Sequence, residues 1–138
     1  MLKVLLLAAS LLFTQTASAE NWVKIIDNDQ GTRLVADLDT VKFSTYEFEG
    51  ATKNRITATM RFIMENSAAW VAVIDTDECV TRRRGMLVTV FNDNITKQYF
   101  WDDKGATMYD AEGQWLCGYT IGYKSRHQKN VDATKPTL

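Results

Sequence analysis

Apolar and polar residues alternate along much of the chain with a period of two, the spacing of a strand that buries one face and wets the other. Residues 55–64 give the clearest case: Ile56, Ala58, Met60, Phe62 and Met64 fall on one side, and Arg55, Thr57, Thr59 and Arg61 on the other. Trp22-Val23-Lys24-Ile25-Ile26 is a β-rich run that stops at the turn signal Asp27-Asn28-Asp29-Gln30-Gly31. Strand-like sequence then resumes at Thr32, so residues 22–36 predict a hairpin. Thr40 to Phe48 alternates more loosely and Gly50 closes it. Trp70-Val71-Ala72-Val73-Ile74 is continuously apolar, as expected of a strand covered on both faces, although a short helix has the same pattern. Val80 to Phe91 reads as a long strand bent at Gly85, and Tyr99-Phe100-Trp101 as another short one.

Residues 106–118 support two readings. Asp110-Ala111-Glu112-Gly113 has the chemistry of a tight turn between Met108-Tyr109 and Trp115-Leu116, which predicts a hairpin. A helix would instead align Met108, Ala111 and Trp115, with Gly113 in its interior at a cost of about 1 kcal/mol relative to Ala. Local chemistry leans towards the hairpin. Residues 124–138 are polar, with Pro136 near the end, and are expected to form a loose tail.

The N-terminal segment has a different character. Lys3 precedes the apolar run Val4–Phe13, Thr14-Gln15-Thr16 breaks it, and Ala17-Ser18-Ala19 supplies small residues. That is the layout of a signal peptide cleaved after Ala19. A membrane span needs roughly 20 apolar residues, and this run is shorter. No Cys stands at the cleavage point, so neither a lipid-modified N-terminus nor a stable membrane anchor is expected. The expectation is a soluble periplasmic or secreted protein: residues 1–19 a leader, 20–123 one domain and 124–138 the tail.

Composition narrows the function classes. With 46% hydrophobic and 24% charged residues among 138, the chain fits one globular domain. Its formal charge is −1, and loss of Lys3 with the leader makes it −2, so nothing draws it towards nucleic acid. Cys79 and Cys117 form an even pair, which in an exported chain predicts a disulfide. Closing a loop of that length is worth roughly 4 kcal/mol of chain entropy.

The candidate chemistry is sparse. Arg82-Arg83-Arg84 is the one basic run, and on a strand Arg82 and Arg84 would share a face and could grip carboxylate, sulfate or phosphate. Solubilising exposed arginines are the commoner outcome. Asp75-Thr76-Asp77-Glu78 reads as a solvated acidic loop. The Asp27 loop lacks the Gly and Glu of an EF-hand, having Thr32 and Leu38 at those positions. His127 falls in the expected tail. The four tryptophans are expected in the core or at its rim. No catalytic, metal-ligating or cofactor-binding set emerges, and an enzyme is not expected.

Two stretches resemble the bacterial surface-adhesin protein E family. One is Trp22-Val23-Lys24-Ile25-Ile26, followed after a turn by Leu34-Val35-Ala36-Asp37-Leu38-Asp39-Thr40-Val41. The other runs from Cys79 through a basic strand to Phe91, then from Thr107-Met108-Tyr109-Asp110-Ala111 to Cys117. The resemblance implies an α+β fold: a twisted antiparallel sheet of about six strands, with one packed C-terminal helix at about 107–117 and a disulfide joining helix to sheet. It also implies a non-enzymatic binding protein that recognises a protein or polymer at the cell envelope or host surface. The family's best-known member is a lipoprotein, and the missing lipobox Cys sets this chain apart. A periplasmic inhibitor or immunity protein against an envelope-acting hydrolase or toxin is the alternative. An unpaired edge strand would allow a homodimer.

Overall fold

The computed structural model describes residues 21–27, 33–64, 67–92 and 94–133, with side chains up to residue 126. The expected signal peptide therefore lies outside the described residues, as does most of the Asp27–Gly31 turn. Seven strands, β1 (Trp22–Asp27), β2 (Arg33–Asp37), β3 (Lys42–Phe48), β4 (Ala51–Phe62), β5 (Trp70–Asp75), β6 (Arg84–Val90) and β7 (Thr96–Asp102), form one antiparallel sheet. Among the described residues two α-helices accompany the sheet, α1 (Thr76–Arg82) and α2 (Met108–Ala133). This is the α+β class that the resemblance implies, and the hairpin over 22–36 is present as β1 and β2.

β4 organises the sheet because it is long enough to serve two partners along one edge. Its first half pairs with β3, from Phe48 opposite Ala51 to Lys42 opposite Thr57. Its last turns of ladder pair with β2, from Ala36 opposite Met60 to Leu34 opposite Phe62. The chain makes the step between the two through a short 3-10 turn, Leu38–Thr40. Asp37 caps that turn by accepting from the Asp39 N–H at 3.0 Å, and Thr40 Oγ1 accepts from the Thr59 N–H at 2.8 Å. A backbone donor left by the break is thereby satisfied. Along the other edge of β4 the order continues β5, β6, β7.

The alternation in β4 resolves as predicted: Ile56, Ala58 and Met60 are buried on the face that α2 covers. Leu34, Ala36, Trp70, Ala72, Ile74, Leu87 and Trp101 join them in the core. The helix contributes Glu112, Leu116, Cys117 and Thr120, all buried and spaced to share one helical face. Gly113 lies on the same face, where an added Cβ would fall on the Trp101 ring. The glycine that made the helical reading look costly is what allows α2 to close on the sheet.

Four expectations are corrected. The local lean of residues 106–118 to a hairpin is overturned: the C-terminal helix that the resemblance implies is present as α2, which runs well past 117 and carries helical backbone through 124–133, where a loose tail was expected. Val80–Arg82 belong to α1 and not to a strand, so β6 begins only at Arg84. Cys79 and Cys117 are bonded with Cα atoms 5.4 Å apart, but the bond ties α1 to α2 and not a helix to the sheet. β5 is covered on one face only, with Trp70, Ala72 and Ile74 buried while Val71 is exposed and Val73 half-buried.

Candidate functional site

The helices cover one face of the sheet, and among the described residues no element covers the other. Residues directly opposite each other on paired strands share a face. On the open side Val71 stands opposite Val90, Val73 opposite Val88, and Met86 opposite Phe100. These six form an apolar band across β5, β6 and β7, and Phe100 is 79% exposed. The band leads into a groove of about 430 Å³ that also takes in Tyr46, Phe48, Lys53, Arg55, Asp75 and Gln98.

The polar end of that groove is ordered by a few side chains. Lys53 lies over the Phe48 ring at 5.1 Å and Arg55 over the Tyr46 ring at 5.5 Å, each held by cation–π attraction. Tyr46 Oη donates to Asp75 Oδ2 at 3.2 Å. Burial and then the Asp75 carboxylate raise the Tyr46 phenol above its ordinary range. The Asp75–Glu78 cluster, expected as a solvated loop, is the start of α1. Asp75 Oδ1 caps the helix, accepting from the N–H groups of Asp77 at 2.7 Å and Glu78 at 2.9 Å.

Arg82 and Arg84 do not share a strand face. Arg82 ends α1, Arg83 takes a left-handed conformation at φ 55°, and Arg84 opens β6. Both nonetheless line one shallow cleft, brought together by the chain reversal at Arg83. That cleft also contains Glu78, Asp102 and Asp110, so its walls carry both signs of charge. Gly85 lies beside the Glu78 carboxylate, which occupies the space where a Cβ would sit. The backbone N–H of Met86 donates to Glu78 Oε2 at 3.4 Å.

Asp110 has a structural task. Thr107 precedes α2 and forms a reciprocal cap with it: Asp110 Oδ2 accepts from the Thr107 N–H and hydroxyl, and the Asp110 N–H donates to Thr107 Oγ1. Asp110 Oδ1 also accepts from the Asp102 N–H at 2.8 Å, tying the helix start to the end of β7. The bonds from the Thr107 side chain and backbone hold this carboxyl below its usual range against the opposing effect of burial, with help from the Asp102 N–H.

A second concavity lies on the helix side. Phe62, Trp70, Thr89, Phe91, Tyr99, Met108, Tyr109 and Glu112 enclose about 140 Å³. Glu112 is fully buried, and its Oε1 accepts from Trp70 Nε1 at 2.6 Å. Glu112 Oε2 and the buried Thr89 Oγ1 have no hydrogen-bond partner among the described residues. Burial pushes the Glu112 carboxyl up to about 7, an effect the Trp70 hydrogen bond only partly opposes. Tyr99 and Tyr109 stack at the rim with centroids 3.7 Å apart, and hydrogen bonding to Tyr99 together with burial raises Tyr109. The local hairpin reading placed Glu112 in a turn and missed this pocket, and the helical alternative aligned Met108, Ala111 and Trp115 without singling out Glu112.

No described helix is long and apolar enough to cross a membrane. The described residues form an antiparallel α+β domain, with one face of the sheet open and the other closed by a disulfide-tied helix pair. Comparison with protein-family models, curated proteins and solved structures finds no match.

Proposed function

We propose that the chain is an exported, non-enzymatic binding protein that recognises a protein or polymer at the cell envelope or host surface through the open face of its sheet. The carrying observation is the apolar band Val71–Val73–Met86–Val88–Val90–Phe100, which no element of the chain covers among the described residues. Exposed apolar patches of this kind commonly mark interaction surfaces. Lys53 and Arg55 beside the band suit a ligand with both apolar and acidic groups.

The signal-peptide pattern, the paired cysteines and the resemblance to the surface-adhesin protein E family support export and binding. Arg82 and Arg84 supply a second, polar contact region on an adjoining surface. A homodimer would form by pairing along an edge strand such as β7, which ends the strand order. The test is affinity capture from envelope, serum and matrix fractions with purified protein and with Val88→Lys, which places a charge mid-band. Capture lost in the variant supports the reading; identical capture by both, or none by either, overturns it. A periplasmic inhibitor would use the same face, and protection of cells against a purified envelope hydrolase would identify it.

A further inference from the structure

The pocket under the helix has chemistry that the open face lacks. Two buried oxygens, Glu112 Oε2 and Thr89 Oγ1, line it without hydrogen-bond partners among the described residues. The remaining wall is formed by the rings of Phe62, Trp70, Phe91, Tyr99 and Tyr109 and by Met108. Leaving such atoms unpaired in an apolar setting is costly, and most buried polar groups in folded proteins are satisfied. At about 140 Å³ the space is some tenfold larger than the ~10–15 Å³ that one water needs. Phe62, Phe91, Tyr99, Met108 and Tyr109 are only half-buried, so the pocket opens to solvent along that rim.

These features select among ligand classes. An anion would meet the Glu112 carboxylate, and a hydrocarbon would leave both oxygens unpaired. A neutral alcohol brings one donor. A primary ammonium brings three donors and a positive charge, matching two acceptor oxygens and the faces of surrounding aromatic rings. A quaternary ammonium brings the charge with no N–H. We propose that this pocket binds a small primary alkylammonium ion, with its nitrogen between Glu112 Oε2 and Thr89 Oγ1 and its alkyl group against Trp70 and the rim aromatics. The site is independent of the open face and lies on the opposite side of the sheet.

The proton on Glu112 competes with such a ligand. Because burial raises this carboxyl to about 7, the cation must displace a proton below that pH and finds a carboxylate above it. The other titratable groups facing the pocket are Tyr99 from β7 and Tyr109 from α2, and Lys97 of β7 lies over the Phe91 ring at 5.9 Å. The lining residues from β4, β5 and β6 carry no charge.

The full chain would be titrated with n-propylammonium chloride at constant ionic strength, reading tryptophan fluorescence and heat. Saturable binding about tenfold tighter at pH 8 than at pH 6 is expected, following ionisation of Glu112. n-Propanol and tetramethylammonium should bind at least about tenfold more weakly, since each lacks either charge or N–H donors. Glu112→Gln keeps an acceptor for Trp70 and should abolish saturable binding, and Thr89→Val should weaken it several-fold. Absence of saturable binding by the wild type, meaning a pocket filled by water only, overturns the proposal. So does equal affinity of propylammonium for the wild type and Glu112→Gln, or equal affinity of the wild type for propanol. Val88→Lys should leave this titration unchanged whatever its effect on capture by the open face, so the two readings fail separately.

Discussion

Glu112 shows how one carboxyl can set the pH behaviour of a small domain. Its folded-state value of about 7 lies above the ordinary 4.5, so the folded chain holds this proton more tightly than the unfolded chain does. Its contribution to stability is therefore complete below about pH 4.5 and declines as pH rises through about 7, by up to about 3 kcal/mol. Denaturant melts of Glu112→Gln should lack that decline and show a variant more stable than wild type at pH 8. Asp110 acts in the opposite sense. Its carboxyl is held down by Thr107, so the stability it adds is present above about pH 4 and is lost as pH falls through its lowered value. Asp110→Ala should cost about 1 kcal/mol at pH 7, the usual value of a helix N-terminal contact, and less in acid. Gly113→Ala tests packing. Alanine favours helix by about 1 kcal/mol, yet its methyl would enter the Trp101 ring, so a net loss of about 1–3 kcal/mol in chemical melts is expected.

At the level of elements, local pattern made most strands legible and neither helix, the C-terminal one being implied only by the family resemblance. Ile56, Ala58 and Met60 announce β4 because a half-buried strand repeats every two residues, and burial follows that period. α2 hides because three of its buried positions, Asp110, Glu112 and Thr120, are polar and a fourth is Gly113. An amphipathic pattern cannot register a face with those residues in it. α1 hides for another reason: seven residues are too few for a periodic signal, and its stability comes from its cap and from tertiary contacts. The caps were present in the sequence as Asp75 before Thr76 and Thr107 three residues before Asp110. Once such acidic clusters are read as helix starts they no longer look like solvated loops. The Cys79–Cys117 bond joins these two helices across a separation of 38 residues. Its reduction should lower stability by roughly 4 kcal/mol, measurable as a shift in the urea midpoint with and without reductant.

For the whole molecule, the decisive feature is the asymmetry of the sheet. One face is closed by α2, and the other presents a valine-rich band with Phe100 at its end. The run Trp70–Ile74 predicted a strand covered twice because both of its faces are apolar. Among the described residues only one of them is covered, with Trp70, Ala72 and Ile74 buried and Val71 exposed. Replacing Val73 or Val88 by Lys should change stability by less than about 1 kcal/mol, since neither side chain is fully buried, while reducing capture of envelope or matrix ligands. Thermal melts run beside the capture assay separate loss of binding from loss of fold.

The sequence by itself determined the β1–β2 hairpin, the face of β4 that is buried and the cysteine pair, because each depends on local periodicity or residue count, whereas the α+β class followed only from the family resemblance. Only the tertiary structure decided which helices those cysteines join, that Arg82 and Arg84 meet in one cleft, and that Glu112 is buried beside Trp70 and Thr89. The first and last of these are contacts between elements far apart in the chain, and the second follows from the left-handed reversal at Arg83. A carboxyl four residues into a helix looks the same in sequence whether it faces solvent or an aromatic wall. Its environment, and with it its charge at neutral pH, is set by what the sheet places opposite it.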